Sequence, residues 1–303
     1  MDKTLTNYLT DPTYDNKYCY LLIDMLGYVS EISPLHLDNI KENVKSDQIA
    51  IISRPELAYD LNACPHLIVI KEPNEKLNNK LVRASVGIVI REHLFTKNYI
   101  CGWIVSEFPP EVLAQKCLDF GSQCGRLFNL PFLTFYEPFR MQLLQDCNGF
   151  FPHWLPSIIN WCDSYFYADV SQTIRTIQPI RDFDPMDRVL TEEEKYYQHQ
   201  AKNLLALYKA WNNIYLKLNK TTVSGNKAQL VKFCQYSYQA RTLGINDVKD
   251  HDIFVLLSMK YGSLLNNEEI KNAILASQDE PGTLAEKLKQ IDIAKFVASS
   301  NKN

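Results

Sequence analysis

The sequence predicts an α/β lobe with a mixed sheet over residues 1–185, followed by an all-α lobe over 186–303. Three observations carry that expectation. Thirteen of the 14 prolines lie at or before Pro185, and proline accumulates in loops between short elements. Runs rich in β-branched and aromatic residues alternate with helical patterns up to that point. Beyond residue 190 the apolar residues recur at helical spacing almost without interruption.

Six runs have strand character: Tyr18–Asp24, Gln48–Ile52, Leu67–Lys71, Tyr99–Ser106, Phe132–Glu137 and Gln172–Ile177. Between them, Lys76–Leu94 places Leu77, Leu81, Ser85, Ile88 and Glu92 near one helical face. Pro109–Phe120 follows Ser106 with proline in its first turn and Leu113, Cys117 and Phe120 on one side. Gln178–Asp187, with Pro179 and Pro185, reads as the linker.

The second lobe opens with Thr191-Glu-Glu-Glu194, a capping box, and one long helix is expected from there to Asn219. Tyr197, Leu204, Tyr208, Trp211, Tyr215 and Leu218 form its apolar stripe. Ser224-Gly-Asn226 breaks the pattern, and a second helix runs to Leu243 before Gly244, a left-handed cap. A third starts at Asp247, and shorter helices are expected at Asn267–Ser277 and Thr283–Ala298.

Composition excludes some partners. Net charge is -3, and residues 1–190 carry 17 basic against 23 acidic side chains, so no basic field draws nucleic acid. The N-terminal residues lack the basic-then-apolar pattern of a signal peptide. Every apolar run is too short to span a bilayer, so membrane insertion is not expected and a cytoplasmic location is. Eight cysteines without a Cys-x-x-Cys spacing read as buried free thiols rather than as zinc ligands. The chain is expected to need no metal and no cofactor.

The search for chemistry finds fragments. Cys101-Gly-Trp-Ile-Val-Ser106 is a strand and not a nucleophile elbow, and Gly225-Asn-Lys227 is only part of a phosphate loop. Asp247, Asp250 and Asp252 lack the glycine and terminal glutamate of a calcium loop and suit a helix N-terminus instead. Cys101 with His93 or His153 is the least unreasonable nucleophile, but a thiol inside an apolar strand is expected to stay protonated. Glu107, Glu111 and Glu137 are the carboxylates that would form a glycosidase-type pair. None of these sets assembles into a motif, and no enzyme activity is expected.

Three segments carry a resemblance. They are Tyr20-Leu-Leu-Ile-Asp24, then Gly102-Trp-Ile-Val-Ser-Glu-Phe-Pro-Pro-Glu-Val-Leu113, then Phe132-Leu-Thr-Phe-Tyr-Glu-Pro-Phe-Arg140 followed by Met-Gln-Leu-Leu144. Phe150-Phe-Pro-His-Trp154 follows them. This ordered set is similar to the family called domain of unknown function 4123, the adaptor chaperones (Tap or TEC proteins) of bacterial type VI secretion. The match spans roughly residues 18–177. It departs from the family pattern at Thr134, at Glu137 in place of Asp, and at Phe139 before Arg140, as a divergent member would.

The resemblance implies a non-catalytic bacterial adaptor that binds a toxic effector and loads it onto the VgrG spike. Its alternatives are an immunity or regulatory partner of a toxin, or an enzyme of unrecognised class. Partner-binding residues expected on this reading are Trp103, Tyr136, Glu137 and Arg140 in the α/β lobe, and Tyr196, Tyr197, Tyr236 and Tyr238 in the helical lobe. The helical lobe is the expected cargo site.

Overall fold

Five of the six strands form where the β-branched and aromatic runs lie. The computed structural model describes residues 1–92, 95, 97–147, 153–180, 189–219 and 227–291. The elements of the first part are α1 (Asp2–Leu9), β1 (Tyr18–Ile23), α2 (Leu37–Asn43), β2 (Ile49–Ile51), β3 (His66–Lys71) and α3 (Asn79–Glu92). They continue with β4 (Ile100–Ser106), α4 (Pro110–Leu127), α5 (Pro138–Asp146), α6 (Trp154–Ile158), β5 (Ser164–Ala168), β6 (Ile174–Ile177) and α7 (Glu192–His199).

The strands form one six-stranded sheet in the order β2-β3-β1-β4-β5-β6. Every adjacent pair is antiparallel, so the expected mixed sheet is corrected. The physical reason is the place of β1. The β3-α3-β4 unit has the sequence pattern of a parallel crossover, but β1 lies between its two strands and runs against both.

Period-two alternation divides the sheet's side chains between two cores. Tyr20 and Leu22 pack with α4 and α5 residues such as Cys117, Phe120 and Met141. Cys19, Leu21 and Ile23 pack with Leu5 of α1 and Val82, Val86 and Val89 of α3. In β4 the alternation slips at Cys101, an extra residue skipped between the pairs Leu22↔Gly102 and Ile23↔Ile100.

The expected strand at Phe132–Glu137 is not a strand. Phe132, Leu133, Phe135 and Tyr136 are all buried, as a doubly covered strand would be, but they pack across a helix. Gly121 and Gly125 of α4 leave the helix backbone open there. The Leu133 amide donates to the Gly121 carbonyl at 2.9 Å, and the Leu130 amide to the Gly125 carbonyl at 2.8 Å. The strand that the sequence reading lacks is β5, whose Ser-Tyr-Phe-Tyr-Ala joins β4 to β6.

Two compact units divide at Ala201/Lys202, not at 185/186. The reason is α7, which packs on α5. The Arg140 guanidinium donates to the Gln198 carbonyl, and His199 Nε2 donates to the Phe128 carbonyl at 2.8 Å. The capping box forms as expected: the Thr191 amide donates to Glu194 and the Glu194 amide to the Thr191 hydroxyl. The helix it starts stops at Gln200 instead of running on to Asn219.

The second unit holds α8 (Ala201–Asn219), α9 (Lys227–Thr242), α10 (Val248–Tyr261), α11 (Glu268–Asp279) and α12 (Leu284–Lys289). Gly244 takes φ +78° after α9, and Asp247 caps α10 by accepting from the Lys249 and Asp250 amides. Buried Asp250 accepts from the Gly282 and Leu284 amides at 2.7 and 3.0 Å, tying α10 to the start of α12. Tyr208, Phe233, Phe254 and Ile274 are among its buried core residues. Among the described residues no helix is long and apolar enough to cross a membrane.

Some expectations fall outside the described residues: His93, Phe150–Pro152 of the resemblance, linker residues 181–187, the 224–226 break and the tail from 292.

Candidate functional site

The register brings four strand ends together. Ile23 pairs with both His66 and Ile100, and Ile51 pairs with His66. Loop 24–36 leaving β1, loop 52–65 joining β2 to β3, and residues 97–99 entering β4 therefore meet at one end of the sheet.

An ion ladder braces this end. Asp24 is fully buried, and its carboxylate takes Lys97 Nζ at 2.5 Å. Lys97 also donates to Glu137 Oε1 at 2.6 Å, and Arg140 Nε donates to Glu137 Oε2 at 2.8 Å. Arg54, buried beside it, donates to the Tyr136 hydroxyl and to Glu56, each at 2.5 Å. Burial, the largest influence on Glu137, disfavours its charge, yet Lys97 and Arg140 together hold it below its ordinary value of 4.5. Burial likewise pushes Lys97 down, and Glu137 and Asp24 outweigh it, so Lys97 sits above its ordinary 10.5.

Both loops that leave this end of the sheet are fixed by local bonds. The Leu26 amide donates to Asp24 Oδ1 at 3.0 Å, an Asx turn. Gly27 lies so close to the chain at Tyr99 that a Cβ there would come within 2.5 Å of backbone. The Tyr99 hydroxyl donates to the Leu35 carbonyl at 2.6 Å, and the Asn39 amide group donates to the carbonyls of Glu31 and Ser33. In the second loop, 3-10 turns at Pro55–Leu57 and Leu61–Ala63 follow one another, the latter capped by Asp60.

These fixed loops hold large apolar side chains out into solvent: Tyr28 is 74% exposed, Ile32 93%, Tyr59 85%, Leu26 50% and Leu61 48%. Scattered apolar residues are normal on a surface, whereas a group of them on rigid loops at one end marks a contact face. Sequence reasoning missed all five. A tyrosine in a polar loop and a tyrosine in the core share one letter, and the signal the sequence offered was position: Leu26, Tyr28 and Ile32 among Gly27, Ser30, Ser33 and Pro34, and Tyr59 and Leu61 among Pro55, Asp60, Asn62 and Pro65.

The residues expected to bind partners are placed differently. Trp103 and Tyr136 are fully buried on opposite faces of the sheet, so neither side chain meets a partner in this fold, and both are corrected to core residues. Trp103 Nε1 donates to the Ser85 hydroxyl at 3.0 Å, which satisfies the indole. Glu137 and Arg140 stand beside Tyr136, half-buried in the ladder. Tyr197 is buried and its ring meets half-buried Tyr196 edge-on, as adjacent residues on one helix must diverge. Tyr197 also lines a shallow cleft with Phe128, Leu144 and Trp154, whose free volume of about 10 Å³ has no room for a small molecule. Tyr236 and Tyr238 are half-buried on α9.

Two arrangements have the outline of catalytic sets. Ser237 Oγ lies 2.9 Å from His251 Nε2, and His251 Nδ1 lies 3.2 Å from Asp252. The hydroxyl is fully buried in the middle of α9, where helical amides are already bonded, so it meets neither a substrate nor an oxyanion site. Cys101 is buried, and burial pushes its thiol well above the ordinary range. Glu107 is exposed beside Lys17, and Glu137 belongs to the ladder.

All eight cysteines are free and buried, and burial pushes Cys19 and Cys124 up to about 12. A thiol reagent at pH 8 is expected to label the native protein slowly and all eight sites rapidly after denaturation. Prompt labelling of one native cysteine would contradict this burial.

Comparison with protein-family models, with curated proteins and with solved structures returns no match.

Proposed function

We propose that the chain is an adaptor chaperone that holds a type VI secretion effector and passes it to the VgrG spike. The observation that carries the reading is the rigid loop face with its exposed tyrosines and isoleucine at the braced end of the sheet. Binding needs a shaped surface with aromatic anchors, and ordering the loops beforehand lowers the entropic cost of association. The ordered resemblance over residues 18–177 supplies the class of partner. Work of this kind requires no reactive side chain.

Co-expression with the effector and the spike protein encoded beside its gene tests the reading. A complex that stays intact through size-exclusion chromatography is expected with the effector. Elution of the chain alone in the presence of each protein would refute the assignment. Protection of a recipient cell by the chain would move it to the immunity class instead.

A further inference from the structure

Buried His66 lies beneath α2 in a setting that suits only its neutral form. Alternation along β3 puts His66 on the same sheet face as Ile68 and Ile70, the face on which Ile40 of α2 packs. The residue is buried, and its Nδ1 lies 2.8 Å from the Cys64 carbonyl. A carbonyl only accepts, so Nδ1 carries the ring hydrogen. Burial, the largest influence, and the Lys41 ammonium outweigh the Cys64 bond and hold His66 below its ordinary 6.5. Lys41 is exposed and directly follows Ile40 on α2.

No counter-charge is at hand. Among the described residues no carboxylate lies within 4 Å of the His66 ring, whereas His36 Nδ1 has Asp38 at 3.6 Å. The charged groups at the neighbouring strand ends are engaged: Asp24 after β1 by Lys97, and Arg54 after β2 by Glu56. Glu92, before β4, accepts from the Tyr99 and Ile100 amides. On α2 itself, Asp38 stands by His36 and Glu42 is exposed.

We infer that α2 is a clasp that closes on neutral His66 and is released when the ring gains a proton in mildly acidic solution. Loop 24–36 follows the helix, because the Asn39 side-chain amide holds the Glu31 and Ser33 carbonyls. The closed state is favoured above 6.5, and that preference is lost as pH falls through the ring's value in the closed state. Glu137, held below 4.5, titrates at lower pH, so the two effects separate. The inference does not depend on the adaptor reading.

Amide exchange of the full chain at about pH 7.5 and about pH 5.5, corrected for intrinsic rates, tests the clasp. Protection at residues 40–44 should fall at the lower pH relative to β4. The fall should reach at most about tenfold, the limit for a histidine of ordinary value that stays neutral in the closed state. His66→Asn keeps a donor for the Cys64 carbonyl and carries no charge, so the fall should vanish. Lys41→Glu, at an exposed position that leaves the core untouched, should shrink it, and decides the matter even where His66→Asn unfolds the chain. His36→Asn should leave the fall in place. Equal protection at both pH values in the wild type would overturn the inference. So would an undiminished fall in His66→Asn or Lys41→Glu, or its loss in His36→Asn.

Discussion

Lys97→Met is expected to lower stability by about 3 kcal/mol, the low end of the roughly 3–5 kcal/mol lost when one partner of a buried pair is removed. The low end applies because 32% of the Lys97 side chain is exposed and part of its interaction is screened by water. The cost arises on the other side of the pair. Asp24 is fully buried, and among the described residues its carboxylate is held by Lys97 and by the Leu26 amide, on Oδ1. Adding Asp24→Asn to the Lys97→Met background removes the stranded charge and keeps an oxygen for the turn. The double variant should therefore recover about 1–3 kcal/mol, a coupling that a double-mutant cycle in urea reads directly. A loss under about 0.5 kcal/mol for Lys97→Met would show that the ladder does not brace the sheet end.

The ladder also sets a pH window. Glu137 lies below its ordinary 4.5, so its contribution is present above that value and is lost as pH falls through its folded-state value. Lys97 lies above 10.5, so its contribution is present below 10.5 and is lost as pH rises through its folded-state value. Glu137→Gln should flatten the acid limb of the stability curve and also weaken the alkaline limb, because Glu137 is the largest influence holding Lys97 above 10.5.

Gly121→Ala is the second large effect, and its sign is opposite to that of a usual helix substitution. Alanine in place of glycine in a helix ordinarily gains about 1 kcal/mol. At Gly121 a Cβ would lie 2.1 Å from the ring of Phe132, which is buried in the same core as Phe120 and Phe135. Overpacking of this kind costs about 1–3 kcal/mol and should exceed the helical gain. Gly87→Ala in α3 is the control, since nothing lies within 4 Å of its Cβ, and it should stabilise by up to about 1 kcal/mol. Equal effects at the two glycines, by denaturation midpoint, would mean that the 130–137 segment does not pack on α4 as described.

Local signals were legible in the sequence where one residue type has one physical use. Thr191 with Glu194, Asp247 and Gly244 sit where their capping chemistry places them. The runs at β1, β3 and β4 formed strands because short, nearly continuous apolar runs buried on both faces suit a doubly covered sheet. Phe132–Glu137 has the same composition and became a covering loop, because the deciding feature, a helix backbone bared at Gly121 and Gly125, lies elsewhere in the chain. The antiparallel order was illegible for a similar reason: nothing in β1 announces that it inserts between β3 and β4.

The candidate site was half legible. Tyr136, Glu137 and Arg140 marked the correct end of the sheet, but they are its brace rather than its surface. The exposed residues come from loops 24–36 and 52–65, where single-sequence periodicity carries no information on which side chains face water.

Hydrogen exchange on the chain in complex with its neighbouring effector tests the docking face most directly. The account predicts slowed exchange at amides of residues 24–36 and 52–65 relative to the free chain. Unchanged exchange there, with protection confined to residues beyond 201, would contradict it.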